Sequence, residues 1–403
     1  MTVQKSAVST CKVAFISHSC IESSSRGKLA YLALQTEFRL ITPSWYPWPF
    51  GRYEADFEFN SKVPVRSYPI SFLNVRRTST RWFLRSRDLG FAEFQPDIIH
   101  VENESQSWIV CQALLYRKLF APRAKLINFS WENMTPQEQG SKARVLEYLA
   151  RFNRRFINFF ICGNVSGKDI LEAKGIPSEK IAVIPQVGID PEVFFPYTPE
   201  RQHSCRLELG ISSGEFAAGF IGRFVEEKGI LDLAEAVGRL KGVSGREVVL
   251  VLAGKGPLEG TVRRRAEELG IRLVVLPPRK YQEVPGTMNA LDVLVLPSRS
   301  RPFWKEQFGH VLIEAMACGV PVIGSDSGEI PNVIGDAGLI FHEGDVEQLT
   351  ECLQLCCDDV DLRLRLGRQG LQRALKNFTN QEIARRTLEI YERVIEQPDF
   401  CVA

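Results

Sequence analysis

Long apolar runs are missing from this 403-residue chain. No stretch approaches the ~18 residues of a membrane-spanning helix, so a bilayer-threaded protein is not expected. The first apolar run, Val13 to Ile16, is too short for a secretory leader and is followed by His18 and Glu22. It reads as a first strand of a cytoplasmic protein. Paired cysteines are missing too: the ten cysteines show no CxxC and no regular framework. Cys352, Cys356 and Cys357 share a predicted helix, but no histidine accompanies them. Buried thiols in a reducing compartment are the expectation, not a disulfide scaffold or a metal centre. The Gly-rich phosphate loop of P-loop enzymes is absent, and no G-x-G-x-x-G opens the first helix. No short period repeats, which excludes a solenoid. Excess charge is small: the net value of +2 gives no case for nucleic acid. It conceals an asymmetry, however. Residues 1–195 hold 25 Lys and Arg against 18 Asp and Glu, or +7, and the remainder holds 25 against 30, or −5. A basic first half suits an anionic surface or acceptor.

What is present is a soluble composition, 44% hydrophobic and 24% charged, in a chain long enough for two cores. Short apolar runs alternate with amphipathic stretches throughout, the βαβα pattern of a mostly parallel sheet. The pattern restarts after a polar, proline-bearing segment, Phe195 to His203. We therefore expect an α/β protein of two domains, residues 1–195 and 196–378. Ser44 to Gly51 (SWYPWPFG) is expected to be an irregular aromatic loop. Arg77, Arg81 and Arg85 share one face at helical spacing, beside Trp82, Phe83 and Leu84. The segment Arg76 to Arg87 is thus a candidate membrane-surface contact.

The most informative stretch is Val293 to Gly328 (VLVLPSRSRPFWKEQFGHVLIEAMACGVPVIGSDSG). It reads as a buried strand, a polar loop, a helix starting near His310 and a further strand from Val320. The loop and the helix start then lie at the carboxyl edge of a parallel sheet, where open α/β folds bind ligands. Glu306 precedes the helix and Glu314 lies inside it, and two carboxylates there suit sugar hydroxyls. Gly309 lets a ligand approach the free N–H groups at the helix start. A second loop, Gly222-Arg223 to Lys228-Gly229, follows a strand and precedes a helix. Its two cations sit where a diphosphate could be held.

Taken together, GRFVEEKG, LAGKGP and EQFGHVLIEAMACGVPVIGSDSGEIPNVI resemble the retaining glycosyltransferases of family 4, of the GT-B fold. Glutamate, seven residues, glutamate is that family's signature. VIPQVGID resembles its interdomain segment, and FTNQEIARRTLEIYERVI its C-terminal helices, which cross back so that residues 379–403 complete the first domain. The resemblance covers residues 180–398 closely. It is thinner in residues 1–179, where Pro96 to His100 is the best-preserved piece.

The resemblance implies two Rossmann-like domains facing an interdomain cleft, and hexose transfer from a nucleoside-diphosphate sugar to a glycan or lipid-linked acceptor with retention and without a metal or cofactor. The chain shows no DxD pair in a plausible loop. Arg223 and Lys228 are implied at the diphosphate, Glu306 at the donor sugar and Glu314 at the ribose. Gly222, Phe308, Gly309 and His310 are implied at the donor through backbone, Arg279 near the base, and Gly27 near phosphate. His100 and Glu132 are candidate groups on the acceptor side. Three features depart from the pattern: the glycine pair of the first loop is reduced to Gly27, Ser130 to Asn133 replaces a histidine-bearing loop, and Arg299 to Lys305 is long. A nucleotide-sugar epimerase, or a non-catalytic protein that binds a sugar nucleotide, are the alternative readings. A transient contact with the inner face of a membrane is a further expectation.

Overall fold

The computed structural model describes residues 11–48, 51–55, 63–72, 82–135, 141–243 and 245–396. The chain divides into two compact units, Met1–Val187 with Asn380–Ala403, and Gly188–Thr379. The first unit is built on seven strands: β1 (Lys12–Ser17), β2 (Glu37–Pro43), β3 (Val65–Tyr68), β4 (Ile98–Glu102), β5 (Lys125–Ser130), β6 (Phe159–Cys162) and β7 (Ile181–Val183). They lie in the order β7-β6-β5-β4-β1-β2-β3, all parallel. The central strands bury both faces, so they read as continuous apolar runs such as VAFI in β1. Helices α1 (Gly27–Gln35), α2 (Trp108–Phe120), α3 (Ser141–Arg154) and α4 (Val165–Ala173) make the crossovers.

Two expectations fail in this unit. The aromatic stretch is not irregular: Trp45–Trp48 pairs antiparallel with Gly51–Glu54, with Trp45 opposite Glu54 and Tyr46 opposite Tyr53. Pro47 disguised the strand in the sequence, yet a two-stranded hairpin tolerates a residue without an N–H. The arginine segment is not helical over its described part. Trp82–Leu84 is a strand paired with Ile70–Phe72, and Trp82 and Leu84 are wholly buried. Those apolar groups face the core and are not offered to a lipid surface. Residues 73–81, with Arg76, Arg77 and Arg81, lie outside the described residues.

The second unit begins earlier than residue 196. Ile189 bridges Thr379 and its N–H donates to the Phe378 carbonyl at 2.9 Å. The Phe194 ring lies 5.2 Å from that of Tyr281. These contacts fasten residues 188–195 to the second core. The expected linker is largely helical, as α5 (Pro199–Glu208), with the Thr198 side chain as N-cap and Pro199 in the first turn. Six strands follow: β8 (Phe216–Arg223), β9 (Val248–Lys255), β10 (Arg272–Leu276), β11 (Val293–Leu296), β12 (Val322–Ser325) and β13 (Leu339–Phe341). Their order is β10-β9-β8-β11-β12-β13, again all parallel. Both sheets therefore share the doubly wound order, which reverses between β1 and β4 and between β8 and β11. Helix α6 (His310–Ala317) connects β11 to β12, and Gly319 ends it in the left-handed region.

The last helix, α7 (Asn380–Glu396), belongs to the first unit. Ile383, Ala384, Thr387, Tyr391 and Val394 form its buried stripe. The Arg386 guanidinium donates to the Val183 carbonyl of β7 at 2.5 Å.

Candidate functional site

The strand order of the second unit reverses between β8 and β11, and a crevice at such a point admits ligands at the carboxyl edge. The end of β8 and the loop that leaves it carry Gly222, Arg223 and Lys228, and the loop after β11 carries Ser298, Arg299 and Glu306. Gly229 brings them together. Its φ is 64°, and a Cβ there would lie 1.8 Å from the Pro297 carbonyl oxygen, so only glycine lets the first loop pass under the end of β11. The Lys228 ammonium consequently reaches Glu306 Oε2 at 2.5 Å, with side chains 15% and 9% exposed. The Ser298 hydroxyl donates to the same oxygen at 2.7 Å. The Trp304 ring lies 5.2 Å from the Lys228 ammonium, a cation–π contact that further fixes it. Arg223 stands apart. It is about half exposed, and its nearest carboxylate is Glu227 at 3.8 Å, so its charge faces solvent at the crevice.

The long loop after β11 is pinned at its start. The Arg299 guanidinium forks onto the Asp232 carboxylate, and the Arg299 N–H donates to the Glu227 carbonyl at 2.8 Å. Burial raises the Asp232 carboxyl, with Arg299 opposing. The Ser300 N–H donates to Glu343 at 2.5 Å. A tight turn joins Arg301 to Trp304, and Phe303 at its tip is 79% exposed. The loop then returns to a fixed point, where the Glu329 N–H donates to the Glu306 carbonyl at 3.1 Å.

Gly309, at φ 83°, precedes α6. Phe308 is buried and its ring packs against Phe378 at 5.7 Å, so its side chain anchors the helix start, leaving only backbone for a ligand. Glu314 lies just over one turn into α6 and is half-buried. Burial pushes its carboxyl up to about 8. Among the described residues no hydrogen bond or ion pair reaches that carboxylate, and a buried glutamate without a partner is rare in a structural role. Arg279 is half-buried, and its Nε is buried without a hydrogen-bond partner. It lines a cavity of about 440 Å³ between α5 and the Val284–Asn289 helix, together with Tyr197, Arg201 and Cys205.

The first unit treats its expected residues differently. His100 is in the core at 1% exposure, with Nδ1 2.8 Å from the Tyr391 hydroxyl. Burial lowers it to about 3, so it is a neutral structural histidine and no cleft group. Gly27 opens α1 and packs against the first residue of α7: a Cβ there would fall 2.3 Å from Asn380 Nδ2. Glu132 is mostly buried and paired with Lys174 at 3.0 Å.

Sequence reasoning missed a polar cluster here. Lys28 and Glu102 form a wholly buried ion pair at 2.6 Å. Gln186 donates to Glu102 at 2.9 Å and to Ser19 at 2.7 Å. Glu104 accepts from the Ser130 hydroxyl and from the Trp131 N–H, and burial, then the charge of Glu132, raises it to about 7. Each acid stands at or just past a strand end, in VENES and SWEN, which was the available signal.

With this geometry in view, comparison with known proteins is direct. Residues 205–373 match the model for glycosyl transferases group 1, and residues 29–186 that for the glycosyl transferase 4-like domain. The chain belongs to the GT-B glycosyltransferases of family 4. A GDP-mannose-dependent monoacylated alpha-(1-6)-phosphatidylinositol monomannoside mannosyltransferase of Corynebacterium glutamicum is 33% identical over 187 residues, 45% of this chain and 49% of that one. An alpha-maltose-1-phosphate synthase of Mycolicibacterium smegmatis is 32% identical over 226 residues, 51% of this chain and 55% of that one. The chain thus spans about half the length of these curated relatives. Anabaena Alr3699/HepE, solved in complex with UDP, superposes with a TM-score of 0.71 at 18% identity, covering 95% of this chain and 100% of that chain; it shares the GT-B fold.

Proposed function

We propose that this protein is a retaining glycosyltransferase that moves a hexose-like sugar from a nucleoside diphosphate to a glycan or lipid-linked acceptor, without a metal or cofactor. The observation that carries the reading is the pairing of Lys228 with Glu306 across the point where the sheet order reverses, with Arg223 exposed beside them. In this reading Arg223 and Lys228 hold the diphosphate and offset the charge that develops on it as the anomeric C–O bond breaks. Glu306 accepts hydroxyls of the donor sugar. Glu314 accepts ribose hydroxyls, which supplies the partner its carboxylate lacks. Backbone N–H groups near Gly309 and His310 face sugar and phosphate, with a small contribution from the helix dipole. Arg279 borders the base. The acceptor hydroxyl attacks on the face the diphosphate leaves, and the departing phosphate oxygen takes its proton. No protein nucleophile is assigned.

The names of the similar proteins support a nucleotide donor and divide on its base: the Corynebacterium relative uses GDP-mannose, and the Anabaena structure holds UDP. A thermal-shift screen with UDP, GDP, ADP and their sugars tests the reading. Saturation at a hundred times the dissociation constant adds about 2.7 kcal/mol of stability. The configuration of the product at the anomeric carbon, read by NMR, tests retention, and activity after exhaustive chelation tests metal independence. If no nucleotide raises the melting temperature, the donor site is wrong; donor consumed without an acceptor marks an epimerase or hydrolase.

A further inference from the structure

The loop that leads into Glu306 turns one aromatic residue inward. Of Arg301 to Lys305, four residues are exposed and Trp304 alone is half-buried. The turn that presents it is closed from both sides: the Arg301 N–H donates to the Trp304 carbonyl at 2.7 Å, and the Trp304 N–H to the Arg301 carbonyl at 3.1 Å. The Arg301 guanidinium lies 3.6 Å from the Glu226 carboxylate, and the Ser300 and Ser327 hydroxyls lie 3.1 Å apart. With Arg299 forked onto Asp232, the loop is a built platform for the Trp304 ring.

Aromatic packing does not account for the position of this ring. Among the described residues no second aromatic ring meets Trp304, and no protein acceptor takes its indole N–H. What the ring meets is the Lys228 ammonium at 5.2 Å, which in turn reaches Glu306 Oε2 at 2.5 Å. An aromatic face, an indole donor and a carboxylate acceptor are thus gathered around one ammonium at the carboxyl edge of β8 and β11. A pyranose offers the complement of each: C–H groups that leave water against an aromatic face, and hydroxyls that both donate and accept. Small-molecule sites are commonly built this way, from aromatic walls and a few placed polar groups. On the donor reading the diphosphate takes up the charge of Arg223 and Lys228. A sugar carboxylate would then face Glu306, and like charges in contact are costly.

We propose that Trp304 is a specificity-determining residue of the donor site, its ring covering the C–H face of a neutral pyranose and its indole N–H donating to one of that sugar's hydroxyls. The proposal rests on the donor reading above and adds to it the class of sugar. The test is calorimetric titration of the full chain with UDP, UDP-glucose and UDP-glucuronate, and with GDP, GDP-mannose and GDP-mannuronate, in the wild type, Trp304→Ala and Trp304→Phe. For the base that binds, the neutral sugar nucleotide binds about tenfold more tightly than the acidic one. Trp304→Ala weakens the neutral sugar nucleotide about 30-fold, and Trp304→Phe, which keeps a ring but no N–H, about fivefold. The free diphosphate changes by no more than about twofold in both variants. Unchanged melting temperatures show that the variants fold, and Trp304→Phe carries the test alone if the alanine variant does not. Equal losses for the free diphosphate and the sugar nucleotide show that Trp304 only positions Lys228, and overturn the proposal. So does a sugar nucleotide bound normally by the folded variants, or an acidic sugar nucleotide bound as tightly as its neutral counterpart. If neither diphosphate binds the wild type, the donor reading itself fails and the proposal with it.

Discussion

Glutamine at position 314 separates a binding carboxylate from a merely structural one. The folded Glu314 carboxyl sits at about 8, raised from 4.5 by burial. Between those two values the folded state keeps a proton that the unfolded state has released, so stability falls as pH rises through the window. At pH 7 the full penalty is roughly 3 kcal/mol at 1.36 kcal/mol per pKa unit. Because part of the side chain meets solvent, about half of that is the working figure. Glu314→Gln keeps the shape and cannot ionise. Its stability advantage over the wild type is therefore near zero below about pH 4.5, roughly 1.5 kcal/mol at pH 7 and roughly 2.4 kcal/mol above pH 8. Urea unfolding of both proteins across that range measures it, and the difference between them cancels every other titrating group. A variant no more stable than the wild type at pH 8, or a difference that does not grow with pH, refutes the reasoning. The same carboxyl predicts a binding signature. Hydroxyl donors favour the charged form, so a nucleotide that seats its ribose there lowers the pKa and releases close to one proton at pH 7. Calorimetry in buffers of different ionisation heat detects the release in the wild type, and the glutamine variant lacks it while binding more weakly. Stabilisation bought with weaker binding is the trade expected of a functional site.

Three further outcomes follow from the same structure. Glu306→Gln folds normally and nearly abolishes transfer; Lys228→Ala also abolishes it and costs roughly 1–3 kcal/mol, because Glu306 stays mostly buried without its cation, and turnover by either purified variant removes that residue from the mechanism. Gly229→Ala, forced against the Pro297 carbonyl at a positive φ, lowers both the melting temperature and nucleotide affinity, whereas a variant that binds nucleotide normally shows that the two loops need not touch. Tyr391→Phe removes the hydroxyl at His100 and costs about 1 kcal/mol of stability with kcat and KM unchanged; a changed kcat would restore His100 to the active site.

The second unit was legible because its signals are local. VLVL before a proline, a loop ending in glycine and an apolar helix define one strand-loop-helix unit within about thirty-five residues, and the fold places Glu306 at the edge without help from elsewhere. The spacing of Glu306 and Glu314 survives as two separate environments, one ion-paired and one unpaired. What was not legible depends on partners far along the chain. That His100 is structural is decided by Tyr391, and that Gly27 is covered is decided by Asn380, both on a helix that returns after the second unit. The hairpin at Trp45 was hidden because Pro47 argues against a strand locally, while its pairing is tertiary. Trp82 looked like a surface anchor among arginines, yet alternation in a three-residue strand sends it inward. The first helix turn at Pro199 is readable from Thr198 and Pro199, local signals that outweigh the segment's polar composition.

The two sheets share one strand order, so the order cannot decide which unit holds a nucleotide; the chemistry at each reversal point does. Between β1 and β4 the space is filled from within. Lys28 neutralises Glu102 at 3% and 0% exposure, Gln186 bridges Glu102 and Ser19, and the Arg26 guanidinium folds back onto the Cys20 and Ile21 carbonyls at 2.8 Å. Among the described residues, Lys28 and Arg26 are both engaged by internal acceptors, and a diphosphate entering there would have to break a buried pair, at a cost of several kcal/mol. Between β8 and β11 the cations are arranged otherwise. Lys228 is held in place by Glu306 and Trp304 but stays partly open, and Arg223 is about half exposed with its nearest acid at 3.8 Å. On the proposed reading, a diphosphate arriving there meets Arg223 and the Lys228–Glu306 pair at an edge that is still partly open. The same topology thus yields one closed edge and one open edge. The difference lies in whether the residue after the first strand's loop is a lysine buried against a strand-end glutamate, as Lys28 is, or a lysine kept at the rim by a glycine turn, as Lys228 is.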